Sequence, residues 1–371
     1  MPKLTATSTI LEHELSELRL LVERQTGVVL DCPNSALVAH VAGYIEAQNL
    51  ASSAALMDRV RSNEGDPGGL PSLLEGLLNN ATGFFRHPGA LNALTRQVVP
   101  QLCARKSADG PSPLRIWSAG CSSGEETYSI AMAVCDGLAH NAANHGNAGN
   151  GNGNGNANGS AKSGARNGGI VDSASNGASV SGAPVSIHIV GSDLLPGNIK
   201  IADRGIYPQS ALEGLPPATI RNYFSKSASP VTVARDSENE ETNEEEDRFL
   251  SQAPWKNGAA DAPTASSASV PHLSVKPRLR SLVTFNCMNL ARPGYIGRFD
   301  CILCMDVLPH FSRVQRLALL ERLHLYLEPG GYLFLSQTEK LGTSNLNFRP
   351  ETFDGYTFHR KPLAASAAYG R

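Results

Sequence analysis

No stretch of this 371-residue chain approaches the ~20 consecutive apolar residues that a helix needs to cross a bilayer. Charge of one sign is lacking too. The 32 Lys and Arg against 34 Asp and Glu leave a net charge of -2, which gives no electrostatic case for binding nucleic acid. The opening MPKLTATSTI has a single lysine and no apolar core ahead of a small-residue cleavage site, so it does not read as a secretory leader; the expected compartment is the cytoplasm. Cysteine is sparse. Seven residues, an odd number, are too few for a disulfide framework in a chain this long. Cys301 and Cys304 form a CxxC, but they lie in FDCILCM, an apolar run that reads as a buried strand, whose alternating faces turn the two thiols apart. No second pair sits at zinc spacing, and no metal site is expected.

What is present falls into two parts. Residues 1–105 read as an N-terminal all-helical domain and linker. Leu11, Leu15, Leu18 and Leu21 recur at helical spacing until Gln25-Thr26-Gly27 interrupts them. A second helix is expected from Ser35 to Gln48, with Leu37, Val38, Val41 and Ile45 on one side, and a third from near Ser52. Pro71 opens a fourth, running to about Leu78, and Pro88 a fifth carrying Leu91, Leu94, Val98 and Leu102. Residues 106–371 change character. RIWSAG, VSIHIVGSD, LVTFNCM, FDCILCM and YLFLSQ are short apolar strands alternating with helical segments, among them Arg313 to Leu327, expected to end at Pro329-Gly330-Gly331. That alternation implies an α/β fold, a parallel sheet covered on both faces. Two segments have little to bury: residues 141–182, rich in Asn and Gly, and the acidic and Ala/Ser-rich stretch from about Ser227 to Ser269, with its acidic block Glu238 to Asp247. Both read as disordered surface insertions.

Parallel sheets bind ligands beyond the C-terminal ends of their strands, and five polar signals fall there. Gly120-x-x-x-Gly124-Glu125 joins the first strand to its helix. Gly120 permits a tight turn, and Gly124 lets the backbone approach a ligand. This is not GxGxxG, and the acids Glu125 and Glu126 would repel a pyrophosphate, whereas a sulfonium offers them a cation. The plainer reading of the loop is a structural strand–helix turn. Asp193 ends the second strand, placed either to accept from ribose hydroxyls or to cap the helix starting near Pro196. Asn289 can read an adenine edge; Asp306 and Gln337-Thr338-Glu339 end the next two strands, each equally readable as a cap or loop polar group.

Together these residues resemble the chemotaxis-receptor methyltransferase (CheR) family. The matching stretches are NNATGFFRHP (Asn79 to Pro88), RIWSAGCSSGEETYSIAMA (Arg115 to Ala133), SDLLPGNIKIADRGIY (Ser192 to Tyr207), Asn289-Leu290, FDCILCMDVLPHF (Phe299 to Phe311) and LEPGGYLFLSQTEKL (Leu327 to Leu341). Arg24 and QTGVVL (Gln25 to Leu30) resemble its helical domain. The resemblance implies an N-terminal all-helical domain followed by a class I methyltransferase (Rossmann-like) doubly wound sheet. It also implies a small inserted β-subdomain, within residues 208–280, that helps hold receptor. The implied cofactor is S-adenosyl-L-methionine, with S-adenosyl-L-homocysteine as product, and the implied reaction is methyl-ester formation on glutamates of a methyl-accepting chemoreceptor or related signalling protein. By position, Asn80, Thr82 and Arg86 fold over the cofactor, Glu125 sits by its methionine portion, Asp193 by its ribose, and Asn289 and Leu290 by its adenine, with Gly120 also a cofactor-binding residue. Met305 and Asp306 complete the cofactor wall, and Arg86 and His310 are the catalytic candidates. Arg86 is suited to steer an acidic side chain by bidentate pairing, or else forms an interdomain salt bridge. Of Phe84 and Phe85, at least one is expected to be a core residue only. Action as a monomer is expected, without nucleic acid and without membrane insertion.

Three departures stand out. The family typically reads Cys-Arg-Asn-Val-Leu-Ile-Tyr-Phe where this chain has Cys304-Met305-Asp306-Val307-Leu308-Pro309-His310-Phe311. Asp306 adds negative charge, favourable to a sulfonium and unfavourable to an incoming glutamate. His310 replaces the tyrosine thought to border the methyl group, with a charge that depends on pH. Pro309 has no N–H to donate. The second helix, basic in typical members, offers only His40. These departures keep open a second reading, a non-catalytic regulatory or interaction module that binds S-adenosylmethionine or S-adenosylhomocysteine.

Overall fold

The computed structural model describes residues 10–62, 69–78, 81–109, 112–147, 186–226, 271–294, 297–342 and 346–363. Helices α1 (Glu12–Thr26), α2 (Asn34–Ala47), α3 (Ser53–Ser62) and α4 (Gly69–Leu74) come first. Leu15, Leu18 and Val22 of α1 share one core with Leu37, Val41, Leu56, Met57, Leu73 and Leu74. Leu11, placed on the buried face by periodicity, instead sits at the N-cap of α1, 54% exposed. The fourth helix stops at Leu74, short of Leu78. His40 turns inward, its Nε2 donating to the Leu73 carbonyl at 2.7 Å.

Pro88 starts a run built as α5 (Pro88–Ala93), a π turn (Leu94–Val98) and α6 (Val99–Asp109). Then follow β1 (Leu114–Ala119), α7 (Glu125–Asn147), β2 (Ile187–Asp193), α8 (Pro196–Arg204), β3 (Ile206–Pro208), α9 (Pro217–Tyr223), β4 (Phe224–Lys226), β5 (His272–Val275), α10 (Pro277–Arg280), β6 (Val283–Cys287), β7 (Phe299–Cys304), α11 (Arg313–Tyr326), β8 (Leu327–Leu335), β9 (Arg349–Phe353) and β10 (Tyr356–Arg360). The main sheet has the order β6-β2-β1-β7-β8-β10-β9. Its first five strands are parallel, and β10 runs antiparallel to both neighbours. This is the class I, Rossmann-like arrangement. A second sheet, β3-β5-β4, is antiparallel and forms the inserted β-subdomain.

Strand alternation divides the core. Ile116 of β1 belongs to one apolar cluster with Tyr128 and Ile130 of α7; its neighbour Trp117 belongs to the other with Leu319 and Leu323 of α11. Every residue of β7 is buried, as a central parallel strand requires. At its N-terminal end Asp300, 2% exposed, meets Lys106 at 3.0 Å and Arg105 at 3.5 Å and accepts the Arg115 backbone N–H, which ties α6 to the edge away from the ligand side. Cys301 and Cys304 lie fully buried in this strand, where burial pushes both thiols well above the ordinary range.

Three expectations need correction. Pro329-Gly330-Gly331 does not end a helix. The last helix stops at Tyr326, Leu327 pairs with Phe299, and the glycines form the irregular start of β8, where a Cβ on Gly331 would stand 2.9 Å from the Asp300 carbonyl. The sheet is not wholly parallel, because a C-terminal hairpin, turning at Asp354 (φ 48) and Gly355 (φ 77), adds two antiparallel strands. Finally, α7 continues to Asn147, so residues 141–147 are helical; the rest of the Asn/Gly segment and the acidic block lie outside the described residues.

Candidate active site

Chain order reverses across β1: the sheet grows through β2 and β6 on one side and through β7 on the other. The crevice beyond the C-terminal ends of these strands is where such sheets take ligands. A cavity of about 330 Å³ opens there, its walls drawn from residues 81–91, the Gly120–Ser122 turn, Asp193, Met288–Leu290, the segment after β7, and Thr26 and Val28 from the end of α1.

The turn after β1 shows a division of labour between its glycines. Gly120 has φ +83 and lines the cavity, and a Cβ there would collide with Val307 on the wall. Gly124, read from sequence as the point of ligand approach, serves packing instead. At φ +96, its Cβ would lie 2.7 Å from that of Ala202 in α8 and 3.0 Å from the Tyr207 hydroxyl. Glu125, only 4% exposed, faces away from the cavity and accepts the Ser123 hydroxyl at 2.8 Å. The cavity acid is its neighbour Glu126, which accepts the Ser118 hydroxyl at 2.7 Å. Burial, with Asp306 and Glu339 adding like charge, pushes the Glu126 carboxyl up to about 7. A periodic reading cannot choose between adjacent acids at a helix start; the short tether of Glu125 to Ser123 decides it.

Asp193, 8% exposed, reaches the cavity floor and also organises the chain around it. Oδ2 accepts from Ser122 N at 2.9 Å; Oδ1 accepts from Leu195 N at 2.9 Å and Asn198 Nδ2 at 3.0 Å. Burial raises its pKa, and these three donors oppose the rise. The side chain therefore steadies the approach to α8 without capping it, since no side-chain cap bond forms at Leu195.

Asn289 lines the cavity, but its amide is engaged. Nδ2 donates to the Gln25 carbonyl at 2.9 Å and Oδ1 accepts from Ala291 N at 2.9 Å. Arg292 Nε donates to the same Gln25 carbonyl at 3.1 Å, and Val29 N donates to the His310 carbonyl at 2.8 Å. The end of α1 is thus bound to two cavity loops, which is why Thr26 and Val28 join the wall. Nothing in the local pattern of QTGVVL signals that role beyond the glycine break, where Gly27 (φ +76) packs on Ala291 and Phe311.

Phe84 leaves the cavity for the core, edge-on to Tyr207 and Phe224 at 5.0 and 5.4 Å, whereas Phe85 (φ +53) lines it. Thr82, Leu290, Met305 and His310 line it as well. Asn80 lies outside the described residues. Arg86 makes the salt-bridge alternative real: Nη1 donates to the Ala81 carbonyl, and Nη2 stands 3.4 Å from Asp306 Oδ2. His87 Nε2 lies 3.1 Å from the same oxygen, a neighbour that the sequence reading did not single out. Burial lowers the pKa of His87 and of His310, with nearby carboxylates opposing it in both. Glu339 clamps the turn beneath them, accepting from Ser336 N and Leu308 N at 2.8 Å and Asp306 N at 3.2 Å. Among the described residues no His, Cys, Asp and Glu cluster has the makings of a metal site, and no helix is long and apolar enough to cross a membrane.

The model of the CheR methyltransferase SAM-binding domain matches residues 80–146 and 263–356, which supply most of the cavity wall, Thr26, Val28, Leu78, Asp193 and Leu194 lying outside it. The chain carries a CheR-type, S-adenosylmethionine-binding methyltransferase domain. Chemotaxis protein methyltransferase 1 of Pseudomonas aeruginosa is 27% identical over 326 residues, 87% of this chain and 88% of that protein. The Cher2 chemotaxis methyltransferase of Pseudomonas putida is 25% identical, covering 88% and 90%. The chemotaxis protein methyltransferase of Borreliella burgdorferi is 22% identical, covering 95% and 97%. This CheR-type chain is accordingly a methyltransferase that uses S-adenosylmethionine and forms S-adenosylhomocysteine. Its residues fit that cofactor. A cavity in the ligand size range carries acids, Glu126 and Asp193, for hydroxyl and cationic groups, a side-chain-free turn at Gly120, and apolar walls at Phe85, Leu290 and Met305.

Proposed function

We propose that this CheR-type enzyme methylates glutamate side-chain carboxylates of a chemoreceptor-like signalling protein, acting in the cytoplasm as a monomer. The observation that carries the reading is the pairing of two opposite electrostatic zones in one cavity. Glu126 and Asp193 form a cation-seeking floor, and Arg86 and His87 stand together at its mouth. The names of the three relatives, each a chemotaxis methyltransferase, support the same reading.

When bound, the cofactor would supply an electrophilic methyl group for transfer to a carboxylate oxygen, its sulfur leaving with the bonding pair as a thioether. A carboxylate is already ionised at neutral pH, so no general base is needed; positioning and exclusion of water carry the rate. Asp193 and the Gly120–Ser122 turn are assigned to the nucleoside, Met288 to Leu290 to its base, and Glu126 rather than Glu125 to the cationic end. Arg86 steers the acidic acceptor, and His310, beside Asp193 and Asp306, borders the reacting groups. Thr82 and Phe85 close the cavity from the linker. His40, the single sequence-expected cation of α2, is engaged with the Leu73 carbonyl, so recognition of an acidic receptor helix falls to other surfaces.

The test uses methyl-labelled S-adenosylmethionine and cytoplasmic fragments of chemoreceptors. Label released as methanol by mild alkali supports carboxylate transfer. Label that survives alkali, or tight S-adenosylhomocysteine binding with no transfer to any acidic protein, sinks the reading.

A further inference from the structure

Asp306 is the point at which the cavity contradicts itself as a receptor for acids. It stands after β7 in a left-handed conformation, φ +58, held by its N–H to Glu339 Oε2 at 3.2 Å and by the Leu308 N–H to Glu339 Oε1 at 2.8 Å. Its side chain lines the cavity. The basic side chains lining the cavity are Arg86, His87 and His310. The first two both point at Asp306 Oδ2, at 3.4 and 3.1 Å. An acceptor carboxylate that needs this Arg–His donor pair finds a carboxylate already on it, with Glu126 also lining the cavity.

We propose that Asp306 is a specificity-determining residue that occupies the acceptor-carboxylate subsite formed by Arg86 and His87, so that an acidic acceptor binds only by displacing it. The inference rests on the carboxylate-acceptor reading above. Displacement is feasible because the contact is partly open: the side chains of Arg86 and Asp306 are 45% and 36% exposed, and ion pairs so exposed are weak. The exchange replaces one carboxylate with another on the same Arg86 and His87 donors and releases Asp306 to water. A lone glutamate gains little from such an exchange. One delivered by a docked protein surface has a high local concentration and wins. Asp306 thereby favours carboxylates presented by a bound partner over free acidic peptides.

Asp306→Asn tests this with little risk to folding, because asparagine tolerates the left-handed backbone and keeps the N–H to Glu339. Anisotropy of a fluorescent glutamate-rich peptide is followed on wild type and variant, both saturated with S-adenosylhomocysteine. The variant should bind about 3- to 10-fold more tightly, the range expected for removing a modest ion pair together with a like-charge repulsion. Adding Arg86→Ala should abolish that gain, which a general change in cavity charge would not explain. Where the peptide is methylated, its KM should fall by a comparable factor. Equal or weaker peptide binding by the variant overturns the proposal. So does a variant that tightens only S-adenosylhomocysteine, since the displaced group would then be the cofactor's own carboxylate. Alkali-labile label on the peptide reports the acceptor chemistry separately: its absence from both proteins indicts the proposed function, whereas its presence with unchanged peptide affinity indicts Asp306 alone.

Discussion

Replacing Glu126 with glutamine should make the protein more heat-stable at alkaline pH and leave it nearly unchanged in acid. The fold pushes this carboxyl up to about 7 from an ordinary 4.5, chiefly by burial. The difference, 7 − 4.5, is about 2.5 pH units; at ~1.4 kcal/mol per unit that is about 3 kcal/mol. It is an upper figure, since the side chain is not fully buried and water screens part of it. Because the folded value lies above the unfolded one, the group costs nothing below about pH 4.5, where both states are protonated. The cost grows between pH 4.5 and 7 and is complete above that range. Glutamine keeps an oxygen to accept the Ser118 hydroxyl but has no charge to bury. Melting curves at pH 8 should therefore separate variant from wild type, and curves near pH 4.5 should not. A ligand cation beside Glu126 favours its ionised form. Binding S-adenosylmethionine at pH 7 should thus expel up to about half a proton, S-adenosylhomocysteine less, and the Glu126→Gln variant none from this position. Calorimetry in buffers of different ionisation enthalpy counts those protons. A melting offset equal at both pH values, or identical proton release with both ligands, would refute the assignment of Glu126 to the cationic end.

Three further outcomes follow from single contacts. Asp193→Ala should weaken S-adenosylhomocysteine binding by about 1–3 kcal/mol and lower stability, because Ser122 N, Leu195 N and Asn198 Nδ2 lose their acceptor; unchanged affinity in calorimetry removes Asp193 from the site. Gly124→Ala should cost about 1–3 kcal/mol in denaturant unfolding, since the new Cβ at φ +96 lies 2.7 Å from that of Ala202. A change within experimental error would show that α8 moves freely. Asn289→Ala should break the 2.9 Å bond to the Gln25 carbonyl and speed hydrogen exchange at Val28 to Leu30; equal protection would mean that Arg292 and the Val29–His310 bond suffice to hold the end of α1.

Much of this architecture was open to reading because local chemistry carried it. Apolar runs such as FDCILCM can form only buried central strands, and Gly120 was recognisable as a tight turn because few residues adopt its conformation. The misreadings arose where one local signal served two structures. Pro329-Gly330-Gly331 looks like a helix stop, yet Leu327 had already entered β8, and close approach to the Asp300 carbonyl is what Gly331 answers. The Asp354-Gly355 turn between alternating residues was a hairpin signal in plain view. Within the site, Asp193 was identifiable by its place at a strand end. By contrast, the choice of Glu126 over Glu125 and the withdrawal of the Asn289 amide toward α1 depend on side chains meeting across distant segments.

The contact between Asp306 and Arg86 is the extreme case. The partners are 306 − 86 = 220 positions apart, and each sits in a motif that reads well by itself, one at a strand end and one in a linker. Neither motif announces that the acid will land on the base. The outcome is set by the left-handed turn at Asp306 and by the Glu339 clamp, features that exist only once β7 and β8 are side by side. A carboxylate that sequence reasoning could describe only as extra charge near the cofactor thereby becomes a contact with the cation assigned to the acceptor. The cofactor chemistry of the site can thus be inherited by motif, while the proposed discrimination among acceptors rests on a tertiary contact that no motif contains.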